Sequence, residues 1–349
     1  MECDGEELLP RLPDDVALEC LTRLHFSDHR SAASVCRRWR NLFRSKEFYY
    51  HRKKLGFTYK AACLVHALTA EDGSKPAGQQ RYGISLFDPI HRVWDRVDSI
   101  PEYPDGLPMF CQLTSCEGKL IVMGGMDPAS WAPVRDVFVF DFTALRWSRM
   151  ADLPSSRSFF AVGTTIGGEV IVAGGHDESK NALNSAWILD VEEGRWREMP
   201  SMGEERDECE GFVSGSEFWV VSGYATDTQG AFKSSAEVYD ARSGEWRRVE
   251  DCWRVSRCPR SCVGARNGGE RGISLVCLGE EDEEAGVKTA VCGVEIGDWT
   301  LLTGAAYQGG PHGFYLMDKK KGGQKGKFEK MDVGDEFCGF VQSGCSIEI

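Results

Sequence analysis

The chain has 349 residues, 42% of them hydrophobic and 27% charged, with a formal net charge of −13. That apolar share can fill a sizeable core, and it excludes a wholly disordered, collagen-like or coiled-coil chain. No run approaches the ~20 apolar residues of a bilayer span, and the acidic start Met1-Glu2-Cys3-Asp4 has no apolar stretch behind it, so neither a membrane protein nor a cleaved leader is expected.

Fourteen cysteines occur without a single CxxC, and Cys111/Cys116 and Cys258/Cys262 miss the zinc spacings. They read as reduced thiols of a cytoplasmic or nuclear protein. Several, including Cys20, Cys63 and Cys277, lie in apolar runs and are expected to be buried. Residues 1–60 carry 12 of the 41 Lys+Arg and 9 of the 54 Asp+Glu, a net of +3 against −16 for the remainder. A body that acidic is repelled by phosphate backbones, so nucleic-acid binding is not expected. The change of sign also marks a boundary, with one domain over 1–59 and a second over 60–349.

Residues 12–55 read as two or three short helices. Leu12-Pro13-Asp14-Asp15 is a start signal, because proline suits the first turn and aspartates complement the helix dipole. Val16, Ala17, Cys20, Leu21 and Leu24 then recur at helical spacing. Ser27 or Asp28 can cap a second helix that runs through Ala32, Ala33, Val35 and Cys36 to Trp39, Leu42 and Phe43. Ser45 can cap a last segment that stops at Gly56. Some 45 residues of this kind make a marginal domain that needs a surface to dock on.

The run "LPDDVALECLTRL…AASVCRRWRNLFRS" resembles an F-box, with the Leu-Pro start, the apolar ladder and the Val-Cys-x-x-Trp ending. The resemblance implies a Skp1-like adaptor as partner and, through it, a cullin-based ubiquitin ligase. It implies an adaptor surface on Leu12, Pro13, Val16, Ala17, Cys20, Leu21 and Leu24. Val35 and Trp39 are expected in the module's own core.

Beyond residue 80 the chain repeats itself. An aspartate precedes a tryptophan by six positions at Asp88/Trp94, Asp141/Trp147, Asp190/Trp196 and Asp240/Trp246. Each aspartate ends a β-rich run, and a turn and a short second strand follow. Upstream, "KLIVMGG" at 119–125 matches "EVIVAGG" at 169–175, and "EFWVVSG" at 217–223 is a weaker copy. Four strands in about fifty residues is the arithmetic of a radial blade. The double glycine with the Asp-x5-Trp step resembles kelch repeats. The expected fold is therefore α+β and multidomain: a small helical F-box and an all-β kelch propeller of five or six four-stranded blades. Phe337–Gln342 is expected to supply the strand that closes the ring.

Blade loops carry function more often than blade strands. Trp131, His176, Lys180, Tyr224 and Phe232 follow the glycine pairs, and Arg157, Arg206 and Arg257 lie between blades. Aromatics and arginine dominate interface hot spots, so these are the candidate target-binding residues. Each arginine has an alternative role as an ion pair or hydrogen bond between blades. The phrases "LPMFCQL", "GGMDPASW", "GGHDESKNAL" and "EFCGFVQSGC" resemble one plant branch of kelch F-box proteins. That resemblance implies a phenylpropanoid enzyme as target, notably phenylalanine ammonia-lyase, or a cytokinin response regulator. The competing classes are a kelch-propeller enzyme and a cytoskeletal scaffold. The seven histidines are scattered and no catalytic set can be assigned, so no catalytic residue, cofactor or metal site is expected.

Overall fold

A computed structural model describes residues 7–68, 80–254, 259–267, 273–277, 289–305, 307, 310, 312–320 and 328–349. Four helices open the chain: α1 (Asp14–Thr22), α2 (His29–Val35), α3 (Arg37–Phe43) and α4 (Lys46–Leu55). The expected second helix is thus two. Cys36 adopts an extended conformation (φ −154°, ψ 170°), and its Sγ accepts the Trp39 N–H at 3.4 Å, so the break is also a cap. Ser45 Oγ accepts from Phe48 N, and Gly56 ends α4 at φ +76°, as the sequence predicts. Ala17, Leu21, Ala32, Ala33, Phe43 and Phe48 form the module's core. Buried Arg52 ties the module to the linker: its guanidinium donates to the carbonyls of Thr22, Leu24 and Phe57.

Twenty-two strands follow among the described residues. The first blade pairs β1 (Lys60–Ala67), β2 (Tyr82–Asp88) and β3 (Val93–Arg96) with β22 (Val341–Glu348), which is its innermost strand. The chain end therefore closes the ring, a few residues later than expected, because Asp335–Phe337 forms a 3-10 turn first. The second blade holds β4 (Gln112–Cys116), β5 (Lys119–Met123), β6 (Val137–Asp141) and β7 (Arg146–Arg149). The third holds β8 (Ala161–Thr164), β9 (Glu169–Ala173), β10 (Ala186–Asp190) and β11 (Arg195–Met199). The fourth holds β12 (Glu210–Ser214), β13 (Glu217–Val221), β14 (Ala236–Asp240) and β15 (Glu245–Val249). A two-stranded sheet, β16 (Cys262–Asn267) with β17 (Ile273–Cys277), precedes the fifth four-stranded blade. That blade holds β18 (Thr289–Ile296), β19 (Trp299–Ala305), β20 (His312–Asp318) and β21 (Glu329–Met331). The propeller thus has five four-stranded blades, with the smaller sheet occupying a further place in the ring.

The repeated residues turn out to do structural work between and within blades. Asp88, Asp141, Asp190 and Asp240 each accept backbone N–H groups with Oδ1 in the turn that follows, an Asx turn. The tryptophans lie on the outer strands and reach back to the preceding blade. Trp147 Nε1 donates to Asp98 O, Trp196 Nε1 to Ala151 O and Trp246 Nε1 to Pro200 O, at 2.6–2.9 Å. At Gly174 (φ +71°) and Gly175 (φ +83°) a Cβ would come within 2.5 Å of Arg206 O and 2.4 Å of Ser158 O, so only glycine fits. Apolar clusters fill the spaces between consecutive sheets. Cys63, Cys111 and Cys209 are buried free thiols, and burial pushes the last two up to about 12. Cys20 corrects the expectation, since it is exposed; the side chain of Cys277 lies outside what is described.

The helical module sits on one face of the wheel. Tyr59 and Ile349 exchange backbone hydrogen bonds at 2.9 and 2.8 Å, and Phe26 packs on the core shared by the first two blades. Buried Tyr49 lies over Gly118 in the β4–β5 hairpin. Ion pairs Arg30–Asp98 (2.7 Å), Lys46–Glu192 (3.1 Å) and Lys53–Glu348 (3.3 Å) border the contact.

Candidate functional site

Among the described residues, two surfaces lie outside the contact between module and wheel, one on each body. On the module, Pro13 flanks α1 with φ −55°, and Asp14 anchors this entry by accepting from Leu8 N and pairing with Arg38. The anchoring leaves Leu12 37% and Val16 43% exposed, with Pro13 and Cys20 exposed beside them in sequence. Val16 and Cys20, four apart, share one face of α1. Val35 is 63% exposed at the end of α2, not in the core as expected, because the chain turns away at Cys36. Trp39 does serve the module, packing on its core and donating Nε1–H to Leu8 O at 2.7 Å. Ala17 and Leu21, at 0% and 3% exposure, are packed inside the module and not on its surface. Leu24 is half-buried against the same core.

The second surface is the opposite face of the propeller. Strand direction fixes this. β5 leaves the Gly118 hairpin under Tyr49 and delivers the chain to Gly124 at the far end, and β9 does the same from Gly168, whose carbonyl accepts from Cys116 Sγ. The loops after the glycine pairs therefore point away from the module. Trp131 is 58% exposed there, in a turn closed by Asp127. Exposed Lys180 occupies the same place one blade on, closed by Asp177. Both hold positive φ, 58° and 61°.

The other sequence candidates divide. Arg157 and Arg206 have 0% exposure and do not reach the surface. Arg157 donates to the carbonyls of Gly174 and Ser185, and Arg206 to those of Ser222 and Ser235 and to the Glu237 carboxylate. Each is a clamp between adjacent blades. His176 is buried, its Nδ1 2.9 Å from Asp207 Oδ1. Tyr224 is buried too, donating to Glu208 Oε1 at 3.0 Å, and burial foremost pushes its hydroxyl well up. Phe232 is half-buried against Tyr224, and Arg257 lies outside the described residues.

One set escaped the sequence reading. Phe110, Phe159 and Glu208 have φ of 57°, 55° and 50°, at equal spacing, each just before an innermost strand. Left-handed backbone at non-glycine residues costs free energy and clusters where function needs it. The innermost strands that follow them line a central channel of about 440 Å³, and the Phe110 and Phe159 rings lie 4.4 Å apart, tilted by 32°. Their regular spacing of 49 was the available signal. The channel is lined by Thr114, Thr164, Ser343, Arg260 and Glu210 among others. Burial pushes Glu210 up to about 7, against the pull of Arg260.

A helical module with exposed apolar residues, mounted on a wheel whose free loops face away from it, defines a two-ended adaptor. The chain belongs to the plant F-box/kelch-repeat proteins. Residues 9–51 match the F-box domain model, and residues 67–267 match the KLHDC2/KLHL20/DRC7 kelch-repeats domain model. It is similar to three Arabidopsis thaliana F-box/kelch-repeat proteins. With At2g44130 it is 39% identical over 71% of this chain and 66% of that one. With SKIP20 it is 35% identical over 80% and 76%, and with At1g15670 32% identical over 98% and 100%. An F-box joined to a kelch propeller indicates a substrate-recognition adaptor of a Skp1–cullin–F-box ubiquitin ligase, and proteins of this build are generally non-catalytic.

Proposed function

We propose that this chain recruits a phenylpropanoid enzyme, phenylalanine ammonia-lyase foremost, to such a ligase in the cytoplasm or nucleus. Leu12, Pro13, Val16, Cys20 and Val35 hold the Skp1-like adaptor, and Trp131, Lys180 and Phe232 hold the target, which another subunit ubiquitinates. The observation that carries the two-ended reading is the placement of the two surfaces on opposite sides of the wheel, where both partners fit at once. The phrases shared with the ammonia-lyase-targeting branch, "GGMDPASW" and "GGHDESKNAL", fall in the exposed loops and support the choice of target. The test is affinity purification of the tagged chain from plant cells with the proteasome inhibited. Phenylalanine ammonia-lyase should accumulate on the wild type and be depleted on Trp131→Ala with Lys180→Glu. Recovery of the adaptor without any phenylpropanoid enzyme would overturn the target while leaving the adaptor half standing.

A further inference from the structure

His25, at the start of the short turn after α1, Asp88, at the end of β2, and His91, in the turn that follows, meet where the module lies on the first blade. His25 Nε2 is 2.9 Å and His91 Nδ1 2.7 Å from the same oxygen, Asp88 Oδ2. Asp88 Oδ1 is occupied by the N–H groups of Ile90 and His91, which aims Oδ2 at the two imidazoles. The matching turns of the next three blades have Ala144, Glu193 and Ser243 where this one has His91, so the turn itself does not need a histidine. The module's cover also leaves Asp88 only 3% exposed, whereas Asp141, Asp190 and Asp240 are half-buried.

We propose that His25, Asp88 and His91 form a binding site for a zinc-class divalent transition-metal ion that pins the helical module to the propeller. One donor atom from each residue lies within 4.8 Å of the others, and tetrahedral zinc bound by nitrogen and oxygen sets its donors about 3.3 Å apart. Two imidazoles and a carboxylate are a borderline donor set that leaves one position for water. Binding needs a tautomer change and no net loss of protons from neutral imidazoles. The His25 proton moves to Nδ1, which gives up the Ser27 N–H it accepts at 3.3 Å and donates instead to Ser27 Oγ at 2.8 Å, and the His91 proton moves to Nε2. Because one ligand comes from the module and two from the blade, the ion binds only the docked arrangement and stabilises it by mass action. Sequence reading missed the set because His25 and Asp88 are 63 positions apart.

The test uses tag-free, full-length protein stripped with a chelator and titrated with Co²⁺, then with Zn²⁺ in competition. One equivalent should give the intense visible absorption of tetrahedral Co²⁺, and Zn²⁺ should abolish it and raise the melting temperature. His91→Gln, half exposed and so compatible with folding, should lose at least ~10–100-fold in affinity and all of the thermal shift; Asp88→Asn should lose more. Absent saturable binding, or equal binding by His91→Gln, overturns the site. So does a His91→Gln variant that melts earlier while the wild type binds no metal, which would make the cluster a hydrogen-bonded clamp alone.

Discussion

The helical module and the propeller solve the same problem differently. In the blades, apolar runs such as Leu120–Met123 and Val170–Ala173 are buried against the next sheet, and each sheet has two neighbours. The module has one layer of helices and one side docked, so Leu12, Val16 and Val35 stay in water. A closed ring satisfies its own surface, and an open bundle of about 45 residues does not. The difference assigns the roles: the wheel is a stable platform, and the module's exposed apolar residues want a partner.

The sharpest way to break this contrast is to open the ring. A chain ending at Phe340 lacks the innermost strand of the first blade, and it is expected to lose cooperative unfolding of the propeller altogether, read by circular dichroism and gel filtration. Next in size is the clamp. Arg206→Met leaves buried Glu237 and the carbonyls of Ser222 and Ser235 without their guanidinium, and about 3–5 kcal/mol of stability should be lost in denaturant titration.

Acid should act on the module. His29 is buried and its pKa is pushed down to about 3, by burial first and by nearby Arg52 second. Its imidazole is neutral when folded and takes up a proton on unfolding, near its ordinary 6.5. Its contribution is complete above that value and is lost as pH falls towards about 3. At about pH 5 the loss is about 2 kcal/mol, measurable as a drop in the denaturation midpoint that His29→Phe flattens. The smallest stability effect belongs to the loop face. Trp131→Ala should change stability by less than ~0.5 kcal/mol while weakening target binding about tenfold or more, separable by calorimetry on the same preparation.

The wheel was legible because its signals repeat: the Asp-x5-Trp step recurs in four blades and the double glycine in two, at nearly constant spacing, and each marks a turn or a close approach in the blades that carry it. The two-stranded sheet and the fifth blade have neither, which is why the blade count stayed open; the outer strand Glu329–Met331 carries no tryptophan. Within the module, periodicity identified the apolar residues but could not say which neighbour covers each. Leu21 and Val35 look alike in sequence, yet one faces α4 and its core while the other lies beside the Cys36 break. A guanidinium suits a surface and a clamp equally, so sequence alone leaves Arg157 and Arg206 open, and only the fold shows that they are enclosed. His176 and Tyr224 follow the glycine pairs in sequence but turn inward to Asp207 and Glu208.

The central claim is that the module's exposed residues, and not its core, hold the adaptor. It is tested most directly by titrating a Skp1-like adaptor into the full-length chain by calorimetry and repeating with Val16→Asp. The wild type should bind, and Val16→Asp should bind at least ~100-fold more weakly with an unchanged propeller melting temperature, a charge placed in an apolar interface being costly to desolvate. Undiminished affinity in Val16→Asp, or a wild type that does not bind, would contradict the account.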